Sequence, residues 1–215
     1  MNPKKYCMAK KSYLFLLLNL FLLHTVLPCS SKFFILIGPS GVGKSTLIQK
    51  LIQIGTPCDH LITHTTRSMR SKEQHAQDYF FISDQEFIKK IENNEFISFR
   101  KIYDNYYGIS KDFIHSKLQS QENIISALTG DVAQEMKTIF DKKVVSIFIS
   151  IPSLDVLKKR LIQRQSETEH SLNIRLASAK TELQSQNSFD YHITNDNFEE
   201  TLSILKKIIL QELTK

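Results

Sequence analysis

Apolar and polar positions along this chain fall into two periods, and their order predicts strands alternating with helices. Phe33-Phe34-Ile35-Leu36-Ile37 is an unbroken apolar run rich in β-forming residues, the pattern of a strand buried on both faces. Just beyond it Leu47, Ile48, Leu51 and Ile52 recur at helical spacing, and Gly55 followed by Pro57 marks a stop. Val144 to Ile151 reads as a second buried strand, and Pro152-Ser153 opens a helix carrying Leu154, Val156, Leu157 and Leu161. A closing helix from about Phe198 to Leu213 places Phe198, Leu202, Leu205, Ile209 and Leu213 on one face, with Ile204 and Ile208 widening the stripe. The expected architecture is α/β, a parallel sheet flanked by helices.

The first thirty-one residues follow a different pattern. A start bearing Lys4, Lys5, Lys10 and Lys11 precedes an apolar run from Tyr13 to Leu27, broken by Asn19 and His24. That run is short for a membrane span, which needs about 20 apolar residues, and its layout resembles a signal segment. Three readings stand: an organelle-targeting presequence, an export signal or anchor, or an upstream extension with the working protein beginning near Ser31. The third gives a cytoplasmic protein. The first two make residues 1–31 a targeting or anchoring device, and the globular body is 32–215 in each case.

Charge narrows the partners. Five lysines and no acid lie in residues 1–32, so residues 33–215 carry only +1 of the formal +6. A nucleic-acid-binding body would keep its basic excess, so no nucleic-acid partner is expected, and no stable membrane partner either. Cys7, Cys29 and Cys58 form no CxxC pair and have no His at metal-binding spacing, which argues against a disulfide framework and structural zinc.

The strongest chemical signal directly follows the first strand. Gly38-Pro39-Ser40-Gly41-Val42-Gly43-Lys44-Ser45-Thr46 is a complete GxxxxGK[ST] between a strand and a helix. Its glycines let backbone N–H groups converge on phosphates, and the helix N-terminus adds partial positive charge. Lys44 is suited to bridge the β- and γ-phosphates of ATP, and the Ser45 hydroxyl to ligate Mg²⁺. The motif alone says NTPase or kinase. Farther along, Arg67 and Arg70 offer forked donors to one phosphate dianion, Tyr79 and Tyr107 can donate phenol hydrogen bonds to it, and Glu73 can hold an arginine in place.

Thr63-His64-Thr65-Thr66-Arg67, Arg70, Glu73, Asp78-Tyr79-Phe80-Phe81 and Asn105-Tyr106-Tyr107-Gly108 resemble the guanylate kinase family in order and spacing, and the similarity runs from about Phe33 to Leu213. The resemblance implies a P-loop NTPase-type sheet, an acceptor-binding insert at about 63–110 and a short lid at about 162–177. It also implies transfer from ATP to GMP with Mg²⁺, the acceptor phosphate clasped by Arg67, Arg70, Tyr79 and Tyr107. Thr63 stands where the family usually has Ser. Arg160, Arg164 and Arg175 fall where its lid arginines act on the transferring phosphoryl group, and Asn195, in Tyr191-His192-Ile193-Thr194-Asn195-Asp196, falls near the adenine after the last strand.

The base-reading positions depart from the family pattern. Ser98 replaces a glutamate that accepts from guanine, Ile109 replaces a Ser or Thr, and Ser126-Ala127-Leu128-Thr129 lacks both aspartates of the family's buried strand, unless Asp131 is recruited in their place. Ser98 and Thr129, shorter and uncharged, reach a base more weakly or through water. A glutamate restored at Ser98 is expected to sharpen preference for GMP. Two alternatives follow from these departures: a phosphokinase on another phosphorylated acceptor such as ribose 1,5-bisphosphate, or a non-catalytic guanylate kinase-like binding module.

Overall fold

The computed structural model describes residues 31–215 apart from 72, 103 and 164–168. The leader and the predicted site residue Arg164 therefore lie outside the described residues. Strand β1 (Phe33–Ile37) is buried along its whole length. Because side chains alternate across a strand, Phe34 and Leu36 feed one apolar core while Phe33, Ile35 and Ile37 feed another on the opposite face. That is why the run carries no polar residue.

The chain then forms α1 (Lys44–Gln53), β2 (Asp59–His60), β3 (His64–Thr65), β4 (Phe80–Phe81), α2 (Asp84–Glu92), β5 (Phe96–Ile102), β6 (Asn105–Ser110) and α3 (Lys111–Gln119). It continues through β7 (Ile124–Ala127), α4 (Gly130–Phe140), β8 (Val144–Ser150), α5 (Leu154–Gln163), α6 (Glu169–Gln184), β9 (Tyr191–Thr194) and α7 (Phe198–Glu212). Five strands make a sheet in the order β2-β7-β1-β8-β9, with every neighbouring pair parallel. β1 sits at its centre, so the loop after Ile37 leaves the carboxyl edge of the sheet between two neighbours, where open α/β sheets bind ligands.

Helix α7 covers one core with Leu202, Leu205, Ile208 and Ile209, and Phe198 and Leu213 pack at its ends. The apolar stripe is narrower than the sequence suggests. Ile204 is 49% exposed and Ile52 on α1 is 37% exposed, because each falls just off its helix's inward arc.

A second sheet, β4-β3-β6-β5, stands apart from the first. Its long hairpin β5–β6 is antiparallel, with an irregular register between Phe96 and Ser98. Phe87 on α2 packs against Phe96 and Tyr106, at ring separations of 4.6 and 5.2 Å, and gives this small sheet an aromatic core. The Ser83 hydroxyl and the Glu86 carboxylate close a capping box that starts α2. Among the described residues no helix is long and apolar enough to cross a membrane.

Candidate active site

The loop from Gly38 to Gly43 is tight and braced from behind. Gly38 has φ 132°, and a Cβ there would lie 2.1 Å from the carbonyl oxygen of Ile149 on β8. Gly43 caps α1 in a left-handed conformation, and a Cβ there would meet the Asn195 amide nitrogen at 2.8 Å. Only glycine fits both positions. The same Asn195 amide donates to the Val42 carbonyl at 2.6 Å, and Arg160 donates to the Asn195 carbonyl at 3.0 Å. The Lys44 ammonium folds over the loop and donates to the carbonyls of Gly38 and, at 3.0 Å, Pro39. Arg175 on α6 reaches the loop from the other side and donates to the Ser40 hydroxyl at 2.8 Å.

Facing this loop, Glu73 organises two guanidinium groups. Arg67 donates to both Glu73 oxygens at 2.8 and 3.0 Å. The Arg70 backbone N–H donates to Glu73 at 2.9 Å, and the Arg70 side chain lies 3.4 Å from it. Burial opposes ionisation of Glu73, but the Arg67 hydrogen bond and the charges of both arginines outweigh it and hold its carboxyl below the usual range. The Arg67 guanidinium also lies over the rings of Tyr79 and Phe81, at 5.4 and 5.6 Å. Tyr79 and Tyr107 meet edge to face at 6.0 Å. Two cations with one anion leave a net positive charge beside two phenols, an arrangement that suits a phosphate.

One cavity of ≈ 880 Å³ joins the two clusters. Its wall includes Gly38, Ser40, Gly41, Gly43, Lys44 and Ser45 from the loop, and Thr63, Arg67, Arg70, Tyr79, Ser98, Tyr107, Thr129 and Arg175 from elsewhere. Those predicted residues are thus brought together. Pro39, Val42, Thr46, Glu73, Arg160 and Asn195 are not on the wall. Val42 is core, Thr46 is exposed, Glu73 stands behind the arginines, and the Asn195 side chain is buried against the loop's back.

Beside the predicted Ser98 the wall also carries Arg100, which sequence reasoning missed, as it did Glu135 behind them. Ser98 is 4% exposed, and its hydroxyl donates to Glu135 at 2.6 Å. Arg100 bonds to Asp131 at 2.7 Å, to Glu135 at 2.9 Å and to the Ser98 oxygen at 3.3 Å. Ser98 and Arg100 share a strand face at spacing two, and Asp131 and Glu135 share a helix face at spacing four. Each pair has a local signal, but nothing local says that the two faces meet. Burial works against Asp131 ionising, yet its hydrogen bonds and the Arg100 charge keep its carboxyl below the ordinary range.

Comparison with known proteins gives consistent relatives. The guanylate kinase family model matches residues 30–212. A guanylate kinase of Rickettsia bellii is 38% identical over 181 residues, 84% of this chain and 94% of that protein. One from Protochlamydia amoebophila is 36% identical over 179 residues, 83% of this chain and 90% of the other. The crystal structure of guanylate kinase from Anaplasma phagocytophilum superposes with a TM-score of 0.73 at 25% identity, covering 86% of this chain and 88% of that one.

Proposed function

The chain belongs to the guanylate kinase family, and on that premise we propose that it transfers the γ-phosphoryl group of Mg-ATP to the phosphate of GMP, giving ADP and GDP. The observation that carries this reading is the single cavity with Lys44 and the glycine loop at one end and Arg67 and Arg70 at the other. Two polyanions held there face each other with their phosphates between the clamps.

Loop amides and Lys44 hold the donor's β- and γ-phosphates, and Lys44 exchanges its present carbonyl partners for phosphate oxygens. Arg67 and Arg70, spread by Glu73, grip the acceptor phosphate with Tyr79 and Tyr107. An acceptor oxygen then forms a bond to the γ-phosphorus as the bond to the β-bridging oxygen breaks, and ADP departs. The nucleophile is already an anion, so no dedicated base is needed. Positioning and charge stabilisation supply the rate.

The donor set fits Mg²⁺. The Ser45 hydroxyl is a hard oxygen on the cavity wall, and phosphate oxygens and water complete such a site. When bound there, Mg²⁺ would neutralise charge on the phosphate oxygens. Arg175, on the wall and bonded to Ser40, would contact the transferring group, and its position beside the loop supports that role. Arg160, a lid arginine by family resemblance, also donates to the Asn195 carbonyl, which supports a role in holding the loop. The small sheet within 63–110 serves as the acceptor-binding subdomain.

Steady-state assays with ATP-Mg²⁺ against GMP, dGMP, AMP, UMP and ribose 1,5-bisphosphate test the reading. GMP and dGMP are expected as preferred acceptors. No turnover of GMP at millimolar concentration, or a clear preference for ribose 1,5-bisphosphate, would end it.

A further inference from the structure

Ser98, Arg100 and Asp131 form part of the same cavity wall as the acceptor clamp, with Glu135 bonded behind them, and their hydrogen-bond directions select among bases. We propose that Ser98 and Arg100 are specificity-determining residues for the acceptor base and that Glu135 is the positioning residue that sets them, an inference that rests on the acceptor site described above.

The polarity follows from proton bookkeeping. Glu135 accepts the Ser98 hydroxyl hydrogen at 2.6 Å, a short charge-assisted bond. With its hydrogen committed, the Ser98 oxygen meets a ligand as an acceptor only. One of its lone pairs receives Arg100 at 3.3 Å, and the other remains. Arg100 has five N–H donors. Its Nε donates to Asp131, its Nη1 to Ser98 and to the Phe99 carbonyl at 2.8 Å, and its Nη2 to Glu135. Among the described residues this assigns four of the five and leaves one hydrogen on Nη2. The wall thus presents a fixed acceptor beside a fixed donor.

Guanine carries the complementary edge, with N–H donors at N1 and the 2-amino group next to the O6 acceptor. Adenine has a donor where guanine has O6 and no N–H at positions 1 or 2, so it leaves the Ser98 oxygen unmet and opposes the guanidinium. An unpaired buried polar group is what makes such a site reject the wrong base. Two features give the wall its shape. The register of β5 against β6 is irregular between Phe96 and Ser98, and such irregularities re-aim side chains beside functional sites. Asp131 and Glu135 lie one turn apart on α4, so both reach the one guanidinium. Glu135 is itself off the cavity wall and works through the Ser98 hydroxyl.

The test compares kcat/KM for GMP with kcat/KM for AMP in the full chain. Ser98→Ala is expected to lower the GMP-to-AMP ratio about tenfold, the effect of one lost hydrogen bond. Glu135→Ala should produce a similar fall, and the double variant no more than either alone, because both remove one relay. Ser98→Thr, which keeps the hydroxyl, should hold the ratio near that of the unaltered chain and shows whether packing alone is at work. A ratio unchanged in Ser98→Ala, or losses that multiply in the double variant, would overturn the relay. Failure of the unaltered chain to phosphorylate GMP would sink the acceptor assignment as well, so the two failures are distinguishable. For any variant that melts below the assay temperature, competitive binding of GMP against AMP in the cold gives the same ratio.

Discussion

Lys44 folds back on the Gly38 and Pro39 carbonyls, so its ammonium is kept at the mouth of the loop by groups a phosphate can displace. Lys44→Ala should cut transfer by roughly 10²–10³-fold or more, as removal of a transition-state charge partner does, with an unchanged melting temperature. A turnover number within tenfold of the original would contradict the assignment. Ser98 needs a revised expectation. A glutamate there would bring a second carboxylate against Glu135, which now stands 2.6 Å from the serine oxygen. Ser98→Glu alone should therefore lower both stability and GMP turnover, whereas pairing it with Glu135→Ser should restore them; a stable, GMP-preferring single variant would refute the clash. The difference in legibility has a physical source. Arg67, Arg70 and Glu73 lie within seven positions of each other and declare their partnership in sequence. Glu135 meets Ser98 only because a strand of the small sheet comes up against α4.

At the scale of elements, the donor site is a strand, a turn and a helix held by packing that leaves no room for side chains. Gly38→Ala would push a methyl group into the Ile149 carbonyl. It should cost about 3 kcal/mol, at the upper end of overpacking, and abolish ATP binding; denaturation and titration check both, and a normal melting curve would count against the tight loop. Strand β3 carries a second sensitivity. His64 stacks on Phe80 at 4.8 Å and meets Phe96 edge to face at 5.3 Å, and its buried Nδ1 has no hydrogen-bond partner among the described residues. Burial, reinforced by the Lys90 charge, pushes its pKa down to about 4. The unfolded chain therefore binds this proton first, so the contribution is intact above about pH 6.5 and declines as pH falls toward 4. His64→Phe should melt with a shallower pH dependence over that window; parallel curves would exclude His64. β1 and β8 were legible as continuous apolar runs, and α1 and α7 because each repeats its helical period over several turns. β2, β3 and β4 have two residues apiece, too few to show a period; family resemblance located the region of β3 and β4, and nothing in the sequence marked β2.

On the scale of the whole molecule, the two sheets are hydrogen-bonded separately, but Ile109 and Ile97 of the small sheet join the core on one face of the large one, and the cavity is lined from both. Donor and acceptor grips reach it from distant parts of the chain, and sequence order alone could not place them in one space. If they share it, a ligand that spans both should bind only when both grips are intact. The decisive measurement is calorimetric titration of the full chain, with Mg²⁺, by a dinucleoside polyphosphate bearing adenosine at one end and guanosine at the other. One site per chain is predicted, weakened at least about a hundredfold by Lys44→Ala and equally by Arg67→Ala. Two independent sites, or undiminished affinity after either substitution, would contradict a single cavity holding donor and acceptor face to face.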